Sequence, residues 1–137
     1  MKKVLFVCIA NNGRSQIAEA LYNQLTNSNL AKSGGTDLSH GSQGADSVYI
    51  PKSVATILEE VGTDTTSIRR KKVTPEMAND ADVIISMSQR PLPDYLEKSP
   101  KLIHWEVEDG KGKDLDFQRR MRDQIRSLCQ SLIKAGS

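Results

Sequence analysis

Cysteine, histidine, long apolar runs and excess charge are all scarce in this sequence, and each scarcity closes off a class of function. Cys8 and Cys129 are the two cysteines, too few and too far apart for a disulfide framework or a zinc site. The two histidines, His40 and His104, are also distant in sequence, and no CxxC or Cys/His cluster occurs. Neither a metal centre nor a cofactor is expected. The longest apolar stretch, Val4 to Ala10, falls far short of the roughly 20 residues that span a bilayer. Lys2-Lys3 in front of it imitates the start of a signal peptide. However, Asn11-Asn12-Gly13-Arg14 follows with no small-residue cleavage site, so a cytoplasmic protein without a membrane partner is expected. Nineteen Lys and Arg against 17 Asp and Glu leave a formal charge of +2, with the signs interspersed. That pattern does not make a nucleic-acid surface. At 137 residues the chain suffices for a single domain over 1–137.

What is present is an alternation of two periods. Val4-Leu5-Phe6-Val7 is a continuous apolar run of the kind found in strands buried on both faces. After a small polar loop, Ile17, Leu21 and Leu25 recur at helical spacing from Ser15 onward, and Asn27-Ser28-Asn29 is a stop. Residues 30–33 read as a short strand ended by Gly34-Gly35, followed by a long polar loop to Ile50. Pro51 opens a helix with Val54, Ile57, Leu58 and Val61 on one face, closed by Gly62. Thr74 caps a helical turn at Pro75-Glu76-Met77-Ala78. Residues 82–87 and 102–105 read as strands. A last helix carries the stripe Phe117, Met121, Ile125, Leu128 and Leu132, with Arg119, Arg122, Asp123 and Arg126 on its other side. Such alternation predicts a three-layer α/β/α fold around a mostly parallel, four-stranded sheet. Ligands bind such sheets beyond the carboxyl ends of the strands, which directs attention to loops 8–14, 88–93 and 106–113.

The first of these loops carries the chemistry. Cys8 and Arg14 are separated by five residues and Ser15 follows, with the Cys ending a strand and the Arg starting a helix. Five intervening residues let the chain wrap once around a tetrahedral oxyanion with its N–H groups turned inward as a nest. Ile9, Ala10, Asn11, Asn12, Gly13, Arg14 and Ser15 are therefore the expected phosphate-binding residues. Gly13 relieves the backbone where loop becomes helix, and the Asn11 side chain ties the loop together. Arg14 offers a planar fork that grips two oxygens at once. Cys8 lies beneath the anion among N–H dipoles, a setting that favours thiolate, and Ser15 can donate to the same sulfur. A thiolate under a phosphate is a nucleophile aimed at phosphorus, and a cysteinyl-phosphate splits one difficult displacement into two. An acid is then needed for the leaving oxygen. The loop after residues 102–105 offers Glu106, Glu108 and Asp109; Asp109 is assigned, with Glu108 as fallback.

These residues also carry a resemblance. Val4 to Cys8 and Arg14 to Leu21 resemble the opening of the low-molecular-weight protein tyrosine phosphatases and their relatives, the thioredoxin-type arsenate reductases. Ser33-Gly34-Gly35-Thr36 resembles the family's Ser-Ala-Gly-Thr segment. His104-Trp105 through Asp109-Gly110-Lys111-Gly112-Lys113, with Phe117 and Arg122-Asp123-Gln124-Ile125, resembles the arsenate-reductase branch. The likeness implies Cys8 as nucleophile, Arg14 as oxyanion binder, Asn11, Ser15 and Ser33 as supports and Asp109 as acid. Departures from the family pattern are specific. Gly13 stands where many members have a second Cys, Ala10 replaces a Gly and Gly110 replaces a Pro. Ser86-Met87-Ser88-Gln89-Arg90 lacks the further cysteines of the thioredoxin-coupled reductases, which excludes an internal thiol relay. No aromatics follow the acid, leaving Tyr49 or Trp105 to flank a substrate ring.

Three functions are compatible with this pattern. The leading one is a cysteine-dependent phosphomonoesterase acting on a phosphorylated protein, phosphotyrosine included, or on a small phosphomonoester. The second is an arsenate reductase in which an external small thiol or a glutaredoxin-like partner resolves the adduct. The third is a non-catalytic binder of oxyanions or phosphoproteins. Outside the site, Cys129 reads as a core thiol at the edge of the apolar stripe and His104 as structural. Arg69-Arg70-Lys71-Lys72 reads as a solvated loop, with attraction of anionic substrates as the lesser reading.

Overall fold

The computed structural model describes residues 1–40 and 47–136. Strands β1 (Val4–Cys8), β2 (Ala31–Gly35), β3 (Val83–Ser86) and β4 (Leu102–His104) form one sheet. Their order is β2-β1-β3-β4, and every pairing is parallel. Among the described residues the α-helices are α1 (Arg14–Thr26), α2 (Lys52–Glu59), α3 (Pro75–Asp80), α4 (Asp94–Glu97) and α5 (Leu115–Gly136).

Side-chain alternation along the central strands divides the core into two layers. Val4 and Phe6 of β1 and Ile85 of β3 join Ile17, Leu21, Val54, Ile57, Met121 and Ile125 on the face covered by α1, α2 and α5. Leu5, Val7 and Ile84 turn the other way, onto Ala78 and Leu96 of α3 and α4. The fold is thus the expected three-layer α/β/α sandwich, with the sheet parallel throughout. Among the described residues no helix is long and apolar enough to cross a membrane.

Several elements differ from the sequence reading. Gly34-Gly35 does not end β2 but forms its last two residues. A Cβ on Gly34 would lie 2.7 Å from the Val73 Cα, and one on Gly35 2.7 Å from the Ile9 carbonyl oxygen. These glycines serve close packing, not chain reversal. Helix α4 is additional: it begins after Pro93 and buries Leu96. Helix α5 buries Gln118, Met121, Ile125 and Cys129, so its inner stripe is rotated from the one expected. Phe117, Leu128 and Leu132 lie at its margins, while Cys129 lies at its centre. Of the long loop to Ile50, Leu38–His40 forms a 3₁₀ turn and 41–46 lie outside the described residues.

Candidate active site

All strands run the same way, so the segments leaving their carboxyl ends converge at one edge of the sheet. β1 ends at Cys8 and α1 starts at Arg14, leaving a tight loop between them. Its peptide orientations can be traced from its carbonyls. Cys8 O accepts from Thr36 N (3.1 Å) and Ile9 O from Asp37 N (2.8 Å). Ala10 O accepts from Arg70 Nε and Nη2 (3.2 and 3.1 Å) and Asn11 O from Gln16 Nε2 (3.3 Å). There are no cis peptides among the described residues, and a trans peptide points its N–H opposite to its C=O. Four carbonyls held outward therefore aim the N–H groups of Ile9, Ala10, Asn11 and Asn12 inward. Gly13 O begins the helical ladder by accepting from Ile17 N at 2.9 Å. The first turn of α1 has no acidic residue and no side-chain cap, so its free N–H groups suit an anion. The left-handed residue of the loop is Asn11, φ 53°, while Gly13 stands at the junction of loop and helix with φ −145° and ψ −101°. Asn tolerates the left-handed conformation better than most residues.

Asn11 is fully buried and organises what lies beneath the loop. Its Oδ1 accepts from Lys71 N (2.8 Å) and Gln16 Nε2 (2.9 Å). A backbone N–H can only donate, so the amide orientation is determined and Nδ2 is the donor. Nδ2 donates to Ser15 Oγ (2.8 Å) and Ser33 Oγ (3.0 Å). The Ser33 hydroxyl donates to Glu19 Oε1 at 2.7 Å, and Lys71 Nζ donates to Glu19 Oε1 and Ser33 Oγ at 3.2 and 3.3 Å. With one lone pair of Ser15 taken by Asn11, its hydroxyl hydrogen is free for Cys8 Sγ, 2.9 Å away. The network thus orients a donor onto the sulfur.

Arg14 is 4% exposed. Its Nη1 donates to Met87 O, to Gln89 Oε1 (2.7 Å) and to Val107 O (2.9 Å), which anchors one side of the fork behind the cup. On the other side Nη2 lies 3.7 Å from Asp109 Oδ2. Asp109 Oδ1 accepts from Lys111 N at 3.0 Å, a local turn that aims the carboxylate without a following proline. Glu108 instead faces Lys113 at 3.7 Å, and Glu106 pairs with His104 at 2.9 Å. Of the three acidic residues offered by this loop, Asp109 lines the cup together with Cys8.

Several residues here carried no signal in the sequence. His40 and Lys111 line the mouth; Lys111 Nζ donates to His40 O at 2.9 Å, joining loops from opposite sides. Arg70 is 4% exposed, which corrects the reading of 69–72 as a solvated loop. Arg69 and Lys72 are exposed as expected, but Arg70 turns inward. A run of like charges gives no periodicity from which one inward-facing member could be picked. The two aromatics proposed for the rim are elsewhere. Trp105 packs on Phe6 with ring centroids 5.7 Å apart, and Tyr49 carries the Arg69 guanidinium 4.6 Å above its ring. Among the described residues no aromatic side chain lines the cup, and no cluster that could hold a metal occurs.

Residues 3–135 match the model of the low molecular weight phosphotyrosine protein phosphatases. The chain belongs to this family. Within the phosphatase family its relatives divide by chemistry. It is 30% identical over 135 residues to the glutaredoxin arsenate reductase of Synechocystis sp., covering 97% of both chains. A solved structure of an arsenate reductase in the phosphate binding state superposes with a TM-score of 0.82 at 29% identity, covering each chain in full (100% of both). A tyrosine phosphatase of Erwinia amylovora shares the fold at TM-score 0.80 and 19% identity, covering 98% of this chain and 93% of its own.

Proposed function

We propose that this protein is a cysteine-dependent phosphomonoesterase. The observation that carries the proposal is the Cys8 sulfur beneath a loop whose carbonyls are bonded outward, with the Ser15 hydroxyl 2.9 Å from it. In this reading the N–H groups of Ile9 to Arg14 and the Nη2 side of the Arg14 fork bind the phosphoryl oxygens. Cys8 attacks phosphorus from below as a thiolate, and the P–O bond on the opposite side breaks. Asp109 gives its proton to the departing alkoxide or phenoxide. The resulting carboxylate then takes a proton from water as that water attacks the cysteinyl-phosphate, releasing inorganic phosphate and restoring the thiolate. No electrons enter or leave. The only other thiol, Cys129, is fully buried and its ionisation is pushed up to about 12 by that burial, so hydrolysis uses everything the chain supplies.

A second reading rests on the curated relatives, which are named arsenate reductases, and on the Cys8 cup, whose described lining is free of aromatics. Here Cys8 attacks arsenate, and an external thiol must supply both electrons. The deciding experiment assays an aryl phosphate and, separately, arsenate with a panel of small thiols and glutaredoxin. Under the first reading Cys8→Ser loses phosphate release while retaining oxyanion binding, and Asp109→Asn slows it by roughly 10²–10⁴-fold. Undiminished hydrolysis by Cys8→Ser refutes the phosphatase. Arsenite release without hydrolysis assigns the second reading.

A further inference from the structure

The buried guanidinium of Arg70 has no part in the chemistry above, yet it sits directly behind the oxyanion loop. Its Nε and Nη2 both donate to Ala10 O, at 3.2 and 3.1 Å. Nη2 also donates to Leu38 O, and Nη1 to Ser47 O at 2.8 Å. Its own backbone N–H donates to Val48 O at 2.6 Å. One planar group thus ties the loop to the 3₁₀ turn on one flank and to the segment before α2 on the other.

We propose that Arg70 is a positioning residue that keeps the Ala10–Asn11 peptide turned so that the Asn11 N–H faces the bound oxyanion. The Ala10 carbonyl and the Asn11 N–H belong to one rigid plane, so anchoring the oxygen outward fixes the hydrogen inward. The neighbouring carbonyls of Cys8 and Ile9 are held by backbone donors at the start of the turn after β2. The carbonyl of Ala10 is held by this side chain. Without it a buried carbonyl loses a charge-assisted bond, and the peptide can rotate and remove one ligand from the nest. A lysine cannot replace the fork, because one ammonium cannot lie in the plane of the Ala10 carbonyl and also span Leu38 and Ser47. The site's electrostatics agree. Burial lowers the Arg70 ionisation from its ordinary value while the charge of Cys8 raises it, so the cation and the sulfur attract each other from opposite sides of the loop.

The inference rests on the reading of the loop as an oxyanion cradle, and the test separates the two. Tungstate, a tetrahedral and redox-inert oxyanion, is titrated calorimetrically into wild type, Arg70→Lys, Arg70→Ala and the exposed neighbour Arg69→Met. Thermal melts of each report folding. Tungstate affinity is expected to fall tenfold or more in Arg70→Lys and in Arg70→Ala, and to stay unchanged in Arg69→Met. Added guanidinium is expected to restore binding to Arg70→Ala, whereas ammonium is not; a purely structural defect would show no such selectivity. If Arg70→Ala does not fold, Arg70→Lys decides the matter alone. Tungstate affinity equal to wild type in Arg70→Lys overturns the inference and leaves the cradle standing. No uptake by the wild type overturns the cradle, and the inference with it.

Discussion

The two sulfurs of this chain have opposite surroundings. Cys8 lies at the carboxyl end of a strand with a hydroxyl aimed at it, whereas Cys129 is enclosed between α5 and α1, its sulfur 3.8 Å from the Ala18 carbonyl oxygen. Burial drives Cys129 up to about 12 from an ordinary thiol value of 9.0. The folded state therefore favours the protonated thiol. That contribution is complete below pH 9.0 and is lost as pH rises toward about 12, because the unfolded thiol ionises first. Denaturant midpoints measured from pH 8 to 11 should fall less steeply in Cys129→Ala than in wild type. Asn11 is the other residue whose surroundings make a sharp prediction. It combines a left-handed backbone with bonds to Ser15, Ser33, Gln16 and Lys71. Asn11→Gly keeps the backbone and loses the bonds, while Asn11→Ala loses both. Both variants should lower kcat/KM by roughly tenfold or more, and the alanine variant should be the less stable by about 1 kcal/mol.

At the level of elements, β2 shows why the fold was legible in the sequence and part of the site was not. Periodicity reports which face of an element is apolar, and that sufficed for β1, α1, α2, β3 and the parallel architecture. It is silent about backbone proximity, so Gly34-Gly35 read as a terminator when it is a strand end pressed between two loops. The adjacent glycines have different neighbours. A methyl at position 34 meets the Val73 backbone, while one at position 35 meets Ile9 O and Asn11 N of the oxyanion loop at 2.7 and 2.9 Å. Both Gly34→Ala and Gly35→Ala should cost about 1–3 kcal/mol as overpacking. Only Gly35→Ala should also weaken oxyanion binding, which calorimetry with tungstate resolves. A second inter-element prediction concerns Glu60, which follows α2 and accepts from Arg119 at 2.8 Å and Arg122 at 2.7 Å on α5. Those hydrogen bonds hold its carboxyl below the ordinary carboxylate value. Its contribution is therefore present above the unfolded value and is lost as pH falls through the folded one. The midpoint difference between wild type and Glu60→Gln should be largest near neutrality, shrink with added salt and vanish in acid. Arg70, Lys111 and His40 escaped the sequence reading for a related reason. Lys111 and His40 are brought to the cup, and Arg70 to the back of its loop, by segments outside the long helices and strands, and such segments have no period to read.

For the whole molecule, the electron balance is what separates the two proposed reactions. Hydrolysis closes on Cys8, Asp109 and water. Reduction of arsenate to arsenite takes two electrons, and a chain whose second thiol, Cys129, is fully buried cannot supply them by forming a disulfide within itself. If the protein reduces arsenate, the Cys8 thiolate displaces one arsenate oxygen as water to form a sulfur–arsenic adduct, and an external thiol attacks its sulfur, sending the S–As electron pair to arsenic to release arsenite and leave a mixed disulfide on Cys8. A second external thiol must then resolve that mixed disulfide. One external disulfide should therefore appear per arsenite, and mass spectrometry of the stalled protein should find the thiol adduct on the peptide containing Cys8 and none on that containing Cys129. In native protein an aromatic disulfide reagent should titrate one thiol, rising to two in denaturant. A second reactive thiol in the native state, or a disulfide between residues 8 and 129 after turnover, would contradict the enclosure of Cys129 and reopen the relay that the sequence excludes.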